Sequence, residues 1–484
     1  MYLGLDLGTS GLRAILVDDS GAVVAWSEKS YDVSHPNAGW SEQDPSCWIT
    51  ACAACLSDLK TSHPVALAAL RSIGLSGHMH GATLLDAGDQ VLRPCILWND
   101  TRSAAEAAAL DATPNVQALS GNIVFPGFTA PKLRWLETHE PEIFDKIAKV
   151  LLPKDYLRLW LTGEHVSDMS DSAGTSWLDV GARQWSDTLL EAGHMRRDQM
   201  PRLVEGCEVS GMLRAELAGD WGVSPTVTIV GGGGDNAAAA CGVGCFQDGD
   251  GFVSLGTSGV LLAAKDRFAP APETAVHSFC HAIPNTWYQM GVILAATDCL
   301  NWLSRNLGQS QADLANAMGS TIAGPSNSLF LPYLSGERTP HNDSKMRGAF
   351  VGLDIACNPK DLTQAIMEGV AFALRDNLEA LKSTGTQLNQ LLAIGGGTQS
   401  QFWVETLATI LQVPIDLPAQ GEFGAALGAA RLAMASQPGA DLTQIMTRPT
   451  VATTIEPRAE LVDDYSASYA KFRALYPHIK AALT

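Results

Sequence analysis

Short apolar runs alternate with amphipathic stretches along the whole chain, and this pattern predicts an α/β fold. The first runs predict a strand over residues 3–6 and another over residues 12–17, joined by a short turn that contains glycine. The same pattern returns at residues 251–254 and 260–264. Each pair of strands lies close enough in sequence to form a hairpin, so we expect two hairpins about half a chain apart.

The turns of the two predicted hairpins contain the same five residues, Leu-Gly-Thr-Ser-Gly, at positions 7–11 and 255–259. Glycine permits a positive φ and leaves space for an anion, so consecutive backbone N–H groups can converge on one point. The Thr and Ser hydroxyls add further donors. Coincidence between two ordinary hairpins is the alternative, but the repetition favours a duplicated phosphate-binding turn. We therefore predict two domains, residues 1–244 and 245–484.

Three more glycine turns follow predicted strands, within residues 74–81, 231–234 and 395–397. The last two precede predicted helices at residues 236–241 and 400–411. A strand, a glycine turn and a helix in succession place the turn at the carboxyl end of a sheet, where open α/β folds bind ligands. None of the turns matches the dinucleotide-binding or P-loop patterns, so both of those folds are disfavoured.

Two carboxylates stand next to these turns. Asp6 ends the first predicted strand, where a carboxylate can hold Mg²⁺ through water beside bound phosphate. Asp235 ends the four-glycine turn at the start of a predicted helix. Two roles are open for it, because Asp is a favoured helix N-cap and also a suitable catalytic base. The four glycines favour the base, since their entropic cost indicates that something must approach the backbone closely.

The chain carries a net charge of −19 with no cluster of Lys or Arg, which argues against nucleic acid as a partner. A nucleotide would have to be held locally by backbone N–H groups, a few cations and Mg²⁺. No apolar segment is long enough to predict a membrane span, and Met1 leads directly into a predicted strand. The ten cysteines are scattered, as in proteins with reduced thiols. We therefore expect a soluble cytoplasmic protein.

The order of several short motifs resembles that of the FGGY family of carbohydrate kinases across essentially the whole chain. This resemblance implies two RNase H-like α/β domains of the actin, hexokinase and Hsp70 ATPase superfamily, with the active site in the cleft between the domains. The N-terminal domain would bind the sugar and hold the base, and the C-terminal domain would bind ATP. The motifs that carry the resemblance lie at residues 6–10, 40–45, 127–136, 231–236, 350–353, 365–369 and 395–397.

The resemblance implies transfer of the γ-phosphoryl group of ATP, with Mg²⁺, to the C5 hydroxyl of D-xylulose. Residues 79–82, 96–100 and 335–341 favour this ketopentose. Glycerol kinases carry an Arg-Glu pair where this chain has Met79-His80, which argues against glycerol. Another ketopentose or polyol, such as ribulose, stays open as the substrate. So does an ATP-gated, chaperone-like role for the same fold, which would need a partner-binding domain that we do not expect here. The resemblance also allows a homodimer.

The same resemblance implies roles for individual residues. Asp235 would accept the proton of the sugar hydroxyl, and Asp6 would hold Mg²⁺ through water. The residues implied for the sugar site are Met79, His80, Trp98, Asp235 and Asn236. The residues implied for binding phosphates and adenosine are Thr9, Ser10, Arg13, Gly256, Thr257, Gly396 and Gly397.

Two cysteine and histidine patterns are weaker signals. Cys52 and Cys55 have the spacing of a redox or metal pair, but they lie in a predicted helix without a second pair, which favours a buried core role. His78 and His80 have no third ligand beside them in the sequence. One sugar hydrogen bond and one structural role are therefore favoured over a metal site.

Overall fold

The structure is a computed structural model that describes residues 1–419 and 424–483. Its strands, in chain order, are β1 Tyr2–Leu7, β2 Gly11–Val17, β3 Val23–Ser30, β4 Glu42–Gln43, β5 Ser72–Gly77, β6 Thr83–Leu85, β7 Cys95–Ile96, β8 Lys149–Leu151, β9 Val166–Asp168, β10 Leu178–Asp179, β11 Gln184–Trp185, β12 Arg202–Val204, β13 Val209–Met212, β14 Thr228–Val230, β15 Gly233–Gly234, β16 Gly251–Leu255, β17 Gly259–Lys265, β18 His277–Cys280, β19 Trp287–Ile293, β20 Leu329–Leu331, β21 Ala349–Val351, β22 Leu391–Ile394, β23 Ile415–Pro418 and β24 Val451–Ile455.

Helices separate most of these strands. They are α1 Ser46–Ser62, α2 Pro64–Ala68, α3 Ala104–Asp111, α4 Val116–Ser120, α5 Thr129–His139, α6 Pro141–Phe144, α7 Pro153–Thr162, α8 Met169–Ser172, α9 Asp187–Ala192, α10 Ala215–Trp221, α11 Asp235–Gly242, α12 Thr297–Leu307, α13 Gln311–Ala317, α14 Pro359–Ser383, α15 Gln401–Leu411, α16 Gly424–Ala435, α17 Leu442–Ile445 and α18 Val462–Leu483.

Two seven-stranded sheets repeat one topology. The first has the order β13-β14-β5-β1-β2-β3 with β15 beside β5, and the second has the order β18-β19-β17-β16-β22-β23-β24. In each sheet an antiparallel hairpin, β1–β2 or β16–β17, pairs through its first strand with a later parallel strand, β5 or β22. The expected α/β architecture and both hairpins are confirmed, whereas the boundary at residue 244 stays a prediction.

The glycines of the two hairpin turns are required for a different reason from the expected one. None of the four, at positions 8, 11, 256 and 259, has a positive φ, so that part of the prediction is wrong. A Cβ at Gly11 would lie 2.8 Å from the Lys29 carbonyl oxygen, and a Cβ at Gly259 would lie 2.6 Å from Cγ1 of Ile293. Close packing against neighbouring strands therefore selects glycine at the last position of each turn, Gly11 and Gly259.

Helix α14 crosses the core of the second half and shows how local sequence fixes an element. Asn358 accepts a hydrogen bond from the Lys360 N–H at 2.9 Å, and Asp361 accepts one from the Asn358 N–H at 3.0 Å. Pro359 occupies the first helical turn, where its missing N–H costs nothing. This capping box starts a helix of 25 residues.

Helix α16 lies between β23 and β24 of the second sheet in sequence, but it packs on the first sheet and on α11. The helix lies so close to the sheet that an added Cβ would meet carbonyl oxygens of α16. The distance would be 2.0 Å for a Cβ at Gly4 and 1.8 Å for a Cβ at Gly74. A Cβ at Gly428 would lie 1.7 Å from the carbonyl oxygen of Ala238 in α11. Backbone-to-backbone packing of this kind ties the two halves of the chain together.

The cysteines and the helices agree with two further expectations. All ten cysteines are free thiols, and Cys52 and Cys55 are buried on α1, as their predicted core role requires. Burial raises the pKa of the Cys52 thiol. In the part of the chain that the structure describes, no helix is both long and apolar enough to cross a membrane.

Candidate active site

Asp235 is the first residue of α11 and directly follows the glycine turn. Gly234 occupies the N-cap position, so the alternative that Asp235 is the N-cap is wrong. The Oδ1 atom of Asp235 accepts hydrogen bonds from the backbone N–H and the side-chain amide of Asn236, at 2.7 and 2.8 Å. These two bonds orient the carboxylate, and Asn236 therefore acts on the site through Asp235.

Burial raises the pKa of Asp235 to about 6 against the hydrogen bonds from Asn236, and the negative charge of Asp6 adds to the rise. Strand pairing explains why the two carboxylates interact. Asp6 on β1 pairs with Ser76 on β5, whose other neighbour is Gly233 on β15. The backbone of Asp6 is thus two strand spacings, roughly 10 Å, from that of Gly233, which lies two residues before Asp235. Asp235 is ionised at neutral pH and basic enough to take a proton in a transition state.

The glycine turn before Asp235 is packed from behind by the protein's own backbone. Gly232 has a φ of 72°, and a Cβ there would lie 2.0 Å from the Leu75 carbonyl oxygen. A Cβ at Gly231 would lie 2.2 Å from the Glu205 carbonyl oxygen. The close approach expected at the glycine turn is therefore found at these two positions, and it is between segments of the chain.

A buried cluster of charged side chains holds the glycine turn in place. None of its members was predicted from the sequence. Arg158 of this cluster donates to the carbonyl oxygens of Val230 and Gly231, both at 2.5 Å. Ser170 accepts a hydrogen bond from the Gly234 N–H at 3.1 Å and donates to a carboxylate of the cluster at 2.5 Å. The members, whose side chains are all fully buried, are Lys154, Asp155, Arg158, Asp168 and Asp171.

The first repeated turn directs its carbonyl groups away from any bound anion. The Gly8 carbonyl accepts from the Tyr31 hydroxyl at 2.7 Å, the Thr9 carbonyl from the Gln43 amide at 2.8 Å, and the Ser10 carbonyl from the Tyr31 N–H at 3.1 Å. The backbone N–H groups of Thr9 and Ser10 donate to no acceptor among the described residues. The turn therefore has free backbone N–H donors, while its carbonyl acceptors are already occupied. This arrangement binds phosphate.

The second repeated turn is tied back in the same way. The Gly256 carbonyl accepts from the N–H and the hydroxyl of Thr297 at 2.9 and 2.8 Å, and the Thr257 carbonyl accepts from the Ala296 N–H at 2.8 Å. These donors come from the start of α12. The identical pentapeptides therefore give equivalent turns, one at the edge of each sheet.

A cavity of about 630 Å³ opens beside the glycine turn at residues 395–397. Gly395 has a φ of 92°, and a Cβ at Gly397 would lie 2.8 Å from the Cβ of Leu255. A Cβ at Gly396 would meet no atom within 4 Å, so this residue borders open space. The cavity has the size of a small-molecule site and suits a nucleoside. Its other lining residues include Thr297, Leu300, Gln311, Ala315, Asn316, Gln401 and Trp403.

His80 presents a hydrogen-bond acceptor. Its Nδ1 lies 2.7 Å from the Gly174 carbonyl oxygen, and since a carbonyl only accepts, Nδ1 carries the proton and Nε2 is a bare lone pair. Burial lowers the pKa of His80 to about 3, so the ring is neutral near pH 7. Phe128 stacks on the ring with centroids 4.5 Å apart. Nε2 can therefore accept a hydrogen bond from a sugar hydroxyl.

The backbone of His80 is fixed by two residues that sequence reasoning missed. Lys132 Nζ and the Thr129 hydroxyl both donate to the His80 carbonyl oxygen, at 2.8 and 3.1 Å. Burial lowers the pKa of Lys132 to about 7. Met79, which precedes His80, packs against the turn that ends at Asp235. A Cβ at Gly234 would lie 2.8 Å from the Met79 Cγ. Lys132 belongs to the motif at residues 127–136, so this motif could have indicated it as a candidate site residue.

Trp98 and Arg13 differ in whether their side chains are free to contact a bound ligand. Trp98 is 45% exposed, and its indole N–H donates to the Thr9 hydroxyl at 3.0 Å, so it lies beside the first phosphate turn. The Arg13 guanidinium is paired with Glu28 at 2.8 Å. Arg13 would have to exchange this carboxylate for a phosphate before it contributed to nucleotide binding.

Among the described residues, no three His, Cys, Asp or Glu side chains cluster as metal ligands. His78, which packs edge-on against Trp48, therefore has no metal-binding partners there. Mg²⁺ does not need such a cluster, because it is bound through one or two carboxylates, waters and substrate phosphates. Burial raises the pKa of Asp6, against the Ser76 hydroxyl and the Arg13 charge, so a nearby cation would stabilise its ionised form. Asp6 fits that kind of site.

Comparison with known proteins gives the family. Residues 1–242 match the N-terminal domain of the FGGY family of carbohydrate kinases, and residues 251–436 match its C-terminal domain. The chain is 46% identical over 482 residues to a xylulose kinase of Escherichia coli K12, with 99% of each chain covered. It is 35% identical over 484 residues to a xylulose kinase of Bacillus subtilis, with 99% of this chain and 97% of the relative covered.

Solved structures agree. A structure described as a xyloylose kinase from Brucella ovis is 57% identical, with a TM-score of 0.98 and 99% of each chain covered. A xylulose kinase from Rhodospirillum rubrum is 29% identical, with a TM-score of 0.92 and 100% of this chain and 99% of that chain covered. The fold that the resemblance implies is confirmed, and the chain belongs to the FGGY family of carbohydrate kinases.

Proposed function

We propose that this kinase transfers the γ-phosphoryl group of ATP to the C5 hydroxyl of D-xylulose. The observation that carries the proposal is the position of Asp235, an oriented carboxylate with a pKa of about 6 at the edge of the sheet that bears the first phosphate turn. Relatives of nearly the same length that are named xylulose kinases support the choice of sugar. Ten free thiols also support a cytoplasmic location. The homodimer stays a prediction.

In the proposed reaction the sugar O5 attacks the γ-phosphorus of ATP. The O5–P bond forms, the bond from the γ-phosphorus to the bridging oxygen breaks, and ADP leaves with that electron pair. Asp235 takes the O5 proton, as a placed base can. Such transfers need positioning and charge neutralisation more than covalent catalysis. The two repeated turns would hold the phosphates, and the glycines at 396 and 397 would let adenosine lie against the backbone.

Asp6 would hold Mg²⁺ through water beside the first turn. The bound metal would neutralise the charge of the phosphates, which matters in a chain with a net charge of −19. Met79, His80, Trp98 and Asn236 would complete the sugar site with one acceptor ring, an apolar wall and the side chain that orients the base.

A substrate panel tests the proposal. Release of ADP is measured in a coupled assay with D-xylulose, L-xylulose, D-ribulose, L-ribulose and glycerol, without sugar, and with an unfolded peptide in place of sugar. We expect D-xylulose to give the highest kcat/KM. A higher value for another sugar would replace D-xylulose as the substrate, and ADP release that responds to unfolded peptide but to no sugar would indicate an ATP-gated binding protein.

His80→Asn is expected to raise the KM for D-xylulose about 2- to 12-fold while leaving the KM for ATP unchanged. The change removes one hydrogen bond to a sugar hydroxyl, which is worth about 0.5–1.5 kcal/mol. Asn is a better replacement than Ala, because His80 has a φ of 70° and Asn tolerates this conformation. Steady-state kinetics with each substrate varied checks the result. Equal increases in both KM values would assign His80 a structural role.

Binding of both substrates is expected to reduce the radius of gyration. The first phosphate turn lies in β1–β2 and the second in β16–β17, so one phosphate chain needs both sheets to approach it. Closure would also exclude water and suppress hydrolysis of ATP. Small-angle scattering of the free protein, the D-xylulose complex and a ternary complex with a non-hydrolysable ATP analogue measures the change. An identical radius in all three states would favour a preformed site.

A further inference from the structure

The Arg338 guanidinium lies at one end of a run of aromatic contacts that leads to His80. Its Cζ is 4.5 Å from the ring centroid of Phe125. The Phe125 ring is 5.2 Å from the ring of His277 and 5.6 Å from that of Phe128, which stacks on His80. The positive charge of Arg338 helps to lower the pKa of both histidines, beyond the larger effect of their burial. Arg338 therefore lies near His80, one of the residues proposed for the sugar site.

This guanidinium has no hydrogen-bond or ion-pair partner among residues 1–419 and 424–483. The adjacent Glu337 uses its Oε1 to accept from the N–H groups of Leu294 and Arg338, not from the guanidinium. Burial lowers the pKa of Arg338, which expresses the cost of holding a cation away from water. The face of Phe125 offsets only part of that cost. Arg338 is half-buried, so donors that the described residues leave unused can be offered to an acceptor supplied from outside the chain.

The loop that carries Arg338 is fixed at the end of β19. The Thr339 hydroxyl accepts from the Val292 N–H at 3.1 Å and donates to the Ala275 carbonyl at 2.9 Å, and the Thr339 N–H donates to the Val292 carbonyl at 3.1 Å. Glu337 pairs with Asp343 through two backbone hydrogen bonds. Arg338 is thus presented from a defined position rather than from a free surface loop.

We propose that Arg338 is a sugar-binding residue that donates hydrogen bonds to the oxygens at C1 and C2 of the ketose, the end remote from the phosphorylated hydroxyl. Asp235 and Met79 would mark the C5 end, since Met79 packs against the glycine turn. From His80, which follows Met79, ring contacts run through Phe128 and Phe125 to Arg338. A C2 carbonyl is a pure acceptor and needs donors. A guanidinium offers paired N–H groups to neighbouring oxygens and has no acceptor of its own. This inference rests on the proposed function.

The chemistry divides recognition between two residues. His80 Nε2 can only accept, so it selects a hydroxyl hydrogen, whereas Arg338 can only donate, so it selects an oxygen lone pair. A ketose offers both along one short chain.

The test compares wild type, Arg338→Met and Arg338→Lys with D-xylulose and with 1-deoxy-D-xylulose, which lacks the C1 oxygen. Met keeps bulk over Phe125 and removes every donor, and Lys keeps the charge but loses the paired geometry. For Arg338→Met we expect the KM for D-xylulose to rise about 10- to 100-fold, the range for hydrogen bonds to a charged group. The KM for ATP should stay unchanged. The ratio of kcat/KM for D-xylulose to that for the deoxy sugar should be high in wild type and close to one in Arg338→Met. Arg338→Lys should give an intermediate ratio.

Arg375→Met is the matched control, because Arg375 also lies over an aromatic ring, that of Tyr469 at 4.4 Å, in the second half of the chain. It should match wild type with both sugars. Equal losses of Arg338→Met on both sugars, a parallel rise in the KM for ATP, or unchanged kinetics in Arg338→Met and Arg338→Lys would each overturn the proposal. A wild type that turns over another ketose in place of D-xylulose would overturn the proposed substrate alone, and the comparison would then use that ketose and its 1-deoxy analogue.

Discussion

Asp235→Asn is expected to lower kcat with D-xylulose about 10²- to 10⁴-fold, the range attributed to a positioned general base. The amide has nearly the same shape as the carboxylate, but it cannot accept the proton of the sugar hydroxyl. Because Gly234 is the N-cap, the substitution removes no cap from α11. Binding of ATP, measured by calorimetry, and the midpoint of thermal unfolding should stay close to those of wild type.

The pH dependence gives an independent check on this base. A base works only when ionised, so kcat of wild type should fall as the pH drops through about 6, the pKa to which burial raises Asp235. His80 does not titrate in that range, because burial lowers its pKa to about 3. In Asp235→Asn the residual activity should lose this acidic limb. Wild-type turnover in the variant, or an unchanged acidic limb, would show that another group accepts the proton.

Local sequence was sufficient to predict the hairpins and the turn before Asp235. Their signals lie within about ten residues, since glycine and hydroxyl residues between two apolar runs specify a turn wherever the rest of the chain goes. The helix boundary was less certain, and a shift of one residue separates the N-cap position from the first helical position, which Asp235 occupies. With Gly234 at the N-cap, Asp235 enters the first turn of α11 and is held by Asn236.

The supports behind the site depend on contacts between distant segments, which no local pattern records. Arg158 lies on α7 and binds carbonyl groups more than 70 positions away. In the sequence it looks like an ordinary charge on an amphipathic helix, because the pairing that allows its burial comes from several other elements. Arg338 is similar, since only the folded structure shows that its guanidinium has no hydrogen-bond or ion-pair partner within the described part of the chain.

Gly428→Ala is expected to lower the midpoint of thermal unfolding by at least about 6 °C. Gly428 lies where α16 crosses α11, and a Cβ there would lie 1.7 Å from the Ala238 carbonyl oxygen. A clash with backbone cannot be relieved by a rotamer change, so the cost should reach or exceed about 3 kcal/mol, the upper end for overpacking. Each kcal/mol shifts the midpoint by about 2–4 °C in a domain of this size. Differential scanning fluorimetry or calorimetry measures the shift.

The same substitution should also reduce kcat by at least about tenfold at temperatures where the variant is folded. To relieve the clash, α11 and α16 must separate, and α11 begins at Asp235, three residues before Ala238. A displacement of about 1 Å at a reacting group can cost about 10²-fold in rate. Gly219→Ala is the matched control, because Gly219 is an exposed glycine of α10 with no atom within 4 Å of an added Cβ. That variant should be fully active and unfold at or above the wild-type midpoint, since Ala favours helix over Gly. If Gly428→Ala behaved like this control, the close contact between α16 and α11 would not be what positions the base.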